Sequence, residues 1–331
     1  MVKAQKTNGA KPVINDLIFK ELIKRGYSLE GNTRVWNIAD SKLWYLTPEQ
    51  AQAYLEAVEK APDYKLAMID TEINLLKETM PEITKKVVLS NEVTMIDIGC
   101  GDGKKAILPI QYIKSNFKNK VKISYCPVDI SSYMVQKAID KISQLEEVDE
   151  IVKFQWNISD FENMENVTTL LRRGNKELFL LFLGGTLGNF ELHESLYAIT
   201  ESMTLGDSLL IGVALHNQKI NPGDIAKTYK TQPADFFMGK VLEQLDFVRS
   251  EIEFGARFKN SRVECFYTIK QNKTIKFQDK EIHFYNGDQI IVSYSYKYNE
   301  KQLEDAIKLY FKNYKFFLNK ERTWALILCK K

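Results

Sequence analysis

The stretch MIDIGCGDGKK, Met95 to Lys105, sets three glycines behind an apolar run that reads as a buried strand. A glycine-rich turn between a strand and a helix lets the backbone approach a ligand closely. It also aims free N–H groups at that ligand from the positive end of the helix. Such a turn serves a dinucleotide, a nucleotide phosphate, or the amino-acid end of S-adenosylmethionine (SAM). A second cluster, LFLGGTLGNFE, Leu181 to Glu191, follows a run that is apolar on both faces. Its Gly184, Gly185 and Gly188 would bring backbone against whatever sits in the cleft, and Asn189 ends it with an amide that can donate and accept.

Spacing narrows the ligand. A nicotinamide-binding turn reads G-x-G-x-x-G. Here Gly99, Gly101 and Gly103 read G-x-G-x-G, with Asp97 two residues before the first glycine, a pattern typical of SAM-dependent methyltransferases. A glycine-rich turn with no ligand is the alternative. Two carboxylates stand at strand ends. Asp129 closes KISYCPVD and could accept from both ribose hydroxyls, cap the helix that follows, or do both. Asp160 could accept from an adenine amino group while Phe161 supplies a stacking face; a helix cap beside a core aromatic is the other reading.

Strands must carry these side chains to one place. VTMIDIG, VKISYCPVD, IVKFQWNISD, LFLLFLGG and GDSLLIGVAL alternate with helical segments that begin at about Lys104 and recur at SSYMVQKAIDKI, ENVTTLLRR and HESLYAITESM. That alternation predicts parallel βαβ units in a doubly wound sheet, with the ligand at the C-terminal strand ends near the reversal of strand order. Upstream, residues 15–60 read as helical with breaks, and Thr47–Pro48 with Gln50 marks a helix start. Helix continues over residues 69–86. From Asn217 to about Lys280 the rhythm is lost: a helical part at 235–247 precedes the strands RVECFYTIKQN and TIKFQD. The tail returns to the first pattern with a helix, EKQLEDAIKLYFKN, and two strands, YKFFLNK and RTWALILCKK.

Composition bounds the partners. Lys plus Arg number 46 against 43 Asp plus Glu, and so small an excess gives no reason to expect nucleic acid or a membrane surface. The four cysteines form no C-x-x-C pair and the three histidines are scattered, so no metal site is expected. The N-terminus lacks the apolar core of a signal peptide, and the longest apolar run is far short of the roughly 20 residues of a membrane span. The expectation is a cytoplasmic monomer acting on a small molecule.

LGGTLGN, Leu183 to Asn189, resembles the signature L-G-S-T-I-G-N of the histidine-specific Nα-methyltransferases of ergothioneine biosynthesis. KLWY (Lys42–Tyr45), PDY (Pro62–Tyr64), TE (Thr71–Glu72), IDIGCG, PVD, DFE (Asp160–Glu162), GDSLLIG and RVE (Arg262–Glu264) fall in family order, so the resemblance runs from about Lys42 to the C-terminus. It implies an α/β enzyme with a Rossmann-like methyltransferase domain, residues 76–216 and 299–331, and a second α+β substrate lobe, residues 1–75 and 217–298. It implies SAM as cofactor, with S-adenosylhomocysteine as product, and contacts from Tyr45, Gly99, Gly101, Lys105, Asp129, Asp160 and Phe161. Tyr64, Gly184, Asn189 and Tyr229 would hold the amino-acid end of the substrate, with Asn189, Tyr229 and Tyr64 at the reacting amine.

One departure bears on the substrate. The family strand that matches DQIIVSYSYKY carries Glu-x-Ser, which grips the histidine imidazole; here those positions read Ser293 and Ser295. Alternation puts Ser293, Ser295 and Lys297 on one face and Tyr294, Tyr296 and Tyr298 on the other. Losing a buried charged contact worth roughly 1.5–3 kcal/mol would weaken histidine binding about ten- to a hundredfold. The expected activity is N-methylation of the α-amino group of histidine or a related amino acid. The alternatives are methylation of another small amine or specialised metabolite, a non-catalytic SAM-binding protein, and a nicotinamide-dependent oxidoreductase, against which the glycine spacing speaks.

Overall fold

The computed structural model describes residues 14–117, 120–153, 164–172, 177–216 and 220–331, without the side chain of Tyr64. The chain opens with α1 (Asp16–Arg25), β1 (Tyr27–Glu30), β2 (Thr33–Asn37), α2 (Pro48–Glu59), a single turn α3 (Pro62–Tyr64), a π-helical stretch Lys65–Asp70 and α4 (Thr71–Val87). Then follow β3 (Glu92–Ile98), α5 (Ile107–Asn116), β4 (Lys122–Val128), α6 (Ser132–Ile142), β5 (Glu150–Ile151), α7 (Met164–Leu171), β6 (Leu178–Phe182), α8 (Leu192–Glu201) and β7 (Ser208–Ala214). The remainder is α9 (Pro222–Tyr229), α10 (Gln232–Glu243), β8 (Ile252–Lys259), β9 (Arg262–Ile269), β10 (Lys273–Phe277), β11 (Lys280–Phe284), β12 (Gln289–Tyr296), α11 (Glu300–Tyr310), β13 (Asn313–Leu318) and β14 (Trp324–Lys330).

The apolar runs become the inner strands of a seven-stranded sheet ordered β13-β14-β7-β6-β3-β4-β5. β5, β4, β3, β6 and β7 are parallel, and β14 runs antiparallel to both its neighbours. All of β6 is buried, as a strand covered on both faces must be. The chain steps outward from β3 to β5, then returns to the other side of β3 with β6. That reversal opens the crevice in which α/β sheets bind ligands. α4 closes one face, its Leu75, Leu76, Met80 and Ile83 packing with Met95, Phe179 and Trp324.

A second, five-stranded sheet is ordered β1-β2-β12-β9-β8, with only the β2–β12 pairing parallel. The N-terminal strands thus join strands that follow them by more than two hundred residues. Its core holds Trp36, Trp44, Phe237 and Tyr267. Between Ile291 and Ser293 the register of β12 on β9 slips, so that Val292 is an extra residue, a β-bulge that resets which side chains face which way.

Two local expectations change. Residues 27–37 are a hairpin rather than helix: Gly31 and Asn32 form a two-residue turn, Glu30 pairs Thr33, and Gly31 has φ 60°. Of the third expected strand, β5 is the part among the described residues; its remainder, with Asp160 and Phe161, lies outside them. α5 starts at Ile107 rather than at about Lys104, because the glycine turn continues through Lys104–Ala106. The α2 start is a complete capping box: Gln50 N–H donates to the Thr47 hydroxyl at 3.3 Å, Thr47 N–H to Gln50 Oε1 at 3.1 Å, and Pro48 stands first in the helix. No described helix is long and apolar enough to cross a membrane.

Candidate active site

The glycine turn is held to the end of the neighbouring strand. Gly99 and Cys100 N–H groups both donate to the Val128 carbonyl, at 2.8 and 3.1 Å. Gly99, Gly101 and Gly103 have φ of 65°, 51° and 74°, a region that side chains with a Cβ rarely adopt. Each glycine answers to a different neighbour. A Cβ on Gly103 would stand 2.9 Å from Cα of Ala138 on α6, and one on Gly99 3.0 Å from Cγ2 of Thr186. A Cβ on Gly101 would meet nothing, because that glycine faces a cavity.

Two carboxylates stand behind the turn, one buried and one half-buried. Asp97, in β3, accepts from the Tyr125 hydroxyl at 2.7 Å. Burial pushes its pKa up to about 7, against the pull of that hydrogen bond. Asp129, just past β4, accepts from Gly101 N–H and from Ser131 N–H, both at 3.0 Å. Desolvation raises its pKa, and those two N–H groups oppose the rise. It therefore braces the glycine turn and the start of α6 while lining the cavity.

Lys105 does not line the cavity. Its ammonium is bonded to Glu72 on α4, a carboxylate with no exposed surface. Glu72 also accepts from Gly184 N–H at 2.9 Å, so it ties the first glycine turn to the second. Room for Glu72 comes from Gly212 on β7, where a Cβ would lie 1.8 Å from Oε1.

After β6 the chain turns through Gly184 and Gly185, at φ 84° and 68°, into a 3-10 turn, Thr186–Asn189. Gly188 sits against β12, where a Cβ would be 3.3 Å from the Tyr296 carbonyl oxygen. Asn189 lines the cavity, and its amide makes no hydrogen bond to another described residue.

The opposite wall comes from β12 and the end of α9. The Tyr229 hydroxyl is 2.9 Å from Ser295 Oγ, and the Lys297 ammonium donates to that same oxygen at 2.9 Å while standing 5.0 Å over the Tyr229 ring. Tyr294 and Tyr296 turn to Arg262, which stacks 3.6 Å over the first ring and 5.7 Å over the second. A third wall is aromatic: Tyr45 lies 5.6 Å from Tyr54 and 5.8 Å from Phe237. The cavity has a volume of about 620 Å³, within the range of ligand-binding clefts.

Residues 42–331 match the family of histidine-specific, SAM-dependent methyltransferases. The chain belongs to that family. This methyltransferase uses SAM. No curated protein matches it in sequence. A SAM-dependent methyltransferase from Clostridium acetobutylicum is 13% identical, with 82% of this chain and 97% of that chain covered at a TM-score of 0.44. The SAM-bound amino pentose methyltransferase CalS10 from Micromonospora echinaspora is 8% identical, with 78% and 92% covered at a TM-score of 0.36.

The methyltransferase brings together most of the residues singled out in its sequence. Tyr45, Gly99, Gly101 and Asp129 line one part of the cavity; Gly184, Asn189, Tyr229, Ser293 and Ser295 line another. Lys105 is set back behind Glu72, and the Tyr64 side chain, Asp160 and Phe161 lie outside the described residues. The turn fits a SAM amino-acid end: Gly101 leaves space above its backbone, and Asp129 keeps acceptor capacity beyond its two N–H bonds. Sequence reasoning passed over Tyr54 and Phe237 as ligand-facing aromatics, since each belongs to an amphipathic helix whose apolar spacing already explains it. It placed Lys297 on the Ser293 face without giving it a role.

Proposed function

We propose that this methyltransferase methylates the α-amino group of a free amino acid, histidine or a related one. The observation that carries this reading is the continuity of one cavity from the Gly99–Gly101 turn to Asn189, Tyr229 and Ser295. Bound SAM would supply a methyl group on a sulfonium. On this reading Gly99, Gly101, Asp129 and Tyr45 bind SAM, with Asp160 and Phe161 assigned to its adenine by the family resemblance alone. Lys105 acts indirectly, fixing Glu72 and through it the Gly184 backbone.

Methyl transfer from a sulfonium needs a neutral nitrogen lone pair aimed at the methyl carbon, and most of the gain comes from orientation. An α-amino group with a pKa near 8 or above must first give up a proton. Asn189 supplies an uncommitted amide that can accept from the amine and fix its direction. The Tyr229 hydroxyl, already oriented by Ser295, supplies a second polar contact, and Tyr64 is assigned to the reacting amine by the family resemblance alone. Residues 1–75 and 217–298 form the substrate-binding lobe in this scheme, and 76–216 with 299–331 the SAM-binding domain.

The test is mass spectrometry after incubation with SAM and a pool of free amino acids. One to three added methyl groups on an amino acid supports the proposal. A protein that binds SAM and leaves every free amino acid unmodified refutes it.

A further inference from the structure

Lys297 is a buried residue, 8% exposed, whose ammonium has one hydrogen-bond partner among the described residues, a neutral hydroxyl, Ser295 Oγ. Other enclosed cations of the chain have carboxylates. Lys114 pairs with Asp149 at 2.7 Å, Lys273 with Glu251 at 2.7 Å, Arg34 with Asp288, Lys105 with Glu72 and Arg172 with Asp207. Charged groups are seldom buried without a counter-charge, because desolvation is then uncompensated.

The surroundings of Lys297 add donors rather than charge. Ser293, buried on the same face of β12, offers a hydroxyl that makes no hydrogen bond to a described residue. Ser295 and Tyr229 offer two more. An ammonium has three donor directions, and Ser295 takes one. Three of the four acids that line the cavity are committed elsewhere: Asp129 to the glycine turn, Asp40 to Arg25 and Lys42, and Glu191 to the N–H of Glu194 at the start of α8; the fourth, Glu194, is exposed and forms no ion pair with Lys297. Burial, and then the nearby Lys297 charge, lower the pKa of His216.

We propose that Lys297, with Ser293, Ser295 and Tyr229 around it, is the subsite for an anionic side-chain group. The substrate would then be an amino acid bearing a distal carboxylate or comparable anion rather than an imidazole. This rests on the proposed amino-acid methylation and specifies its substrate class. Where the family strand carries a glutamate for a basic ring, this chain presents hydroxyls and an ammonium, and a cationic ring would be repelled. Lys297 touches the side chain of the substrate and not the reacting amine, so it determines specificity.

The experiment compares kcat/KM for glutamate and aspartate with glutamine, asparagine and histidine, in the native enzyme and in Lys297→Met and Lys297→Arg. At least one acidic amino acid should exceed its amide by about tenfold or more. Lys297→Met should raise the KM for that acid about ten- to a hundredfold and close the gap to the amide, with SAM affinity retained in calorimetry. Lys297→Arg, which keeps the charge, should restore much of the preference. Preferred methylation of histidine or of an amide, unchanged by Lys297→Met, overturns this inference and leaves the proposed function standing. Methylation of no amino acid, with SAM bound, overturns both. Should Lys297→Met fail to fold, the acid-to-amide ratio of the native enzyme decides alone.

Discussion

Asn189 and Asp97 do different work within a few ångströms of the glycine turns. Asn189 presents an amide to the cavity that no described residue satisfies, as the proposed contact with the methyl acceptor requires. Asn189→Ala should raise the KM for the methyl acceptor about tenfold or more, the cost of one or two hydrogen bonds, while SAM affinity in calorimetry stays nearly unchanged. A collapse of SAM binding would move Asn189 to the cofactor. Asp97 does not line that cavity, and its pKa is raised from 3.8 to about 7 by burial. A carboxyl whose folded pKa lies above its unfolded value stabilises the fold below pH 4 and loses that contribution as pH rises towards 7. Asp97→Asn keeps an acceptor for the Tyr125 hydroxyl and removes the titration. Relative to the native protein its stability should climb between those pH values, with a slope of up to about 1.4 kcal/mol per pH unit. Parallel Tm-versus-pH curves for the two proteins would exclude this role.

At the level of elements, β7 and α4 meet at one point where a strand glycine admits a helix carboxylate. Gly212→Ala would push a methyl into Glu72, and Glu72 holds both Lys105 and Gly184 N–H. Such overpacking should cost about 1–3 kcal/mol and show as a lowered Tm, with weaker SAM binding as the Gly184 turn loosens. An unchanged Tm would mean that Glu72 can swing aside freely. The same elements show what the sequence reveals. β3, β4, β6, β7 and the α2 cap follow from patterns a few residues long, and those patterns hold. The β1–β2 hairpin was hidden because Tyr27–Glu30 is exposed throughout and its apolar–polar alternation is only four residues long, too short to stand out, so Gly31–Asn32 is its clearest signal. Glu72 was legible only as a family motif, since its partners lie 33 and 112 residues away. Ser295 meets Tyr229 across 66 residues, a contact that no local periodicity encodes.

On the scale of the whole molecule, the cavity is bordered by two sheets that share no strand. The seven-stranded sheet supplies the Gly99–Gly101 turn, Asp129 and Asn189, while β12 of the five-stranded sheet supplies Ser293, Ser295 and, just past its end, Lys297. If SAM sits on the first and the amino acid reaches across to the second, the two ligands will protect different parts of the chain. Hydrogen–deuterium exchange separates them. S-adenosylhomocysteine alone should slow exchange around residues 99–103 and 129–131. Adding the amino acid should extend protection to the end of α9 and to 293–297, because opening the five-stranded sheet there would then require releasing the substrate. Protection of 293–297 by S-adenosylhomocysteine alone would put the cofactor where we place the substrate. Substrate-induced protection confined to the seven-stranded sheet would take the five-stranded sheet out of recognition, and with it the reason for an ammonium at Lys297.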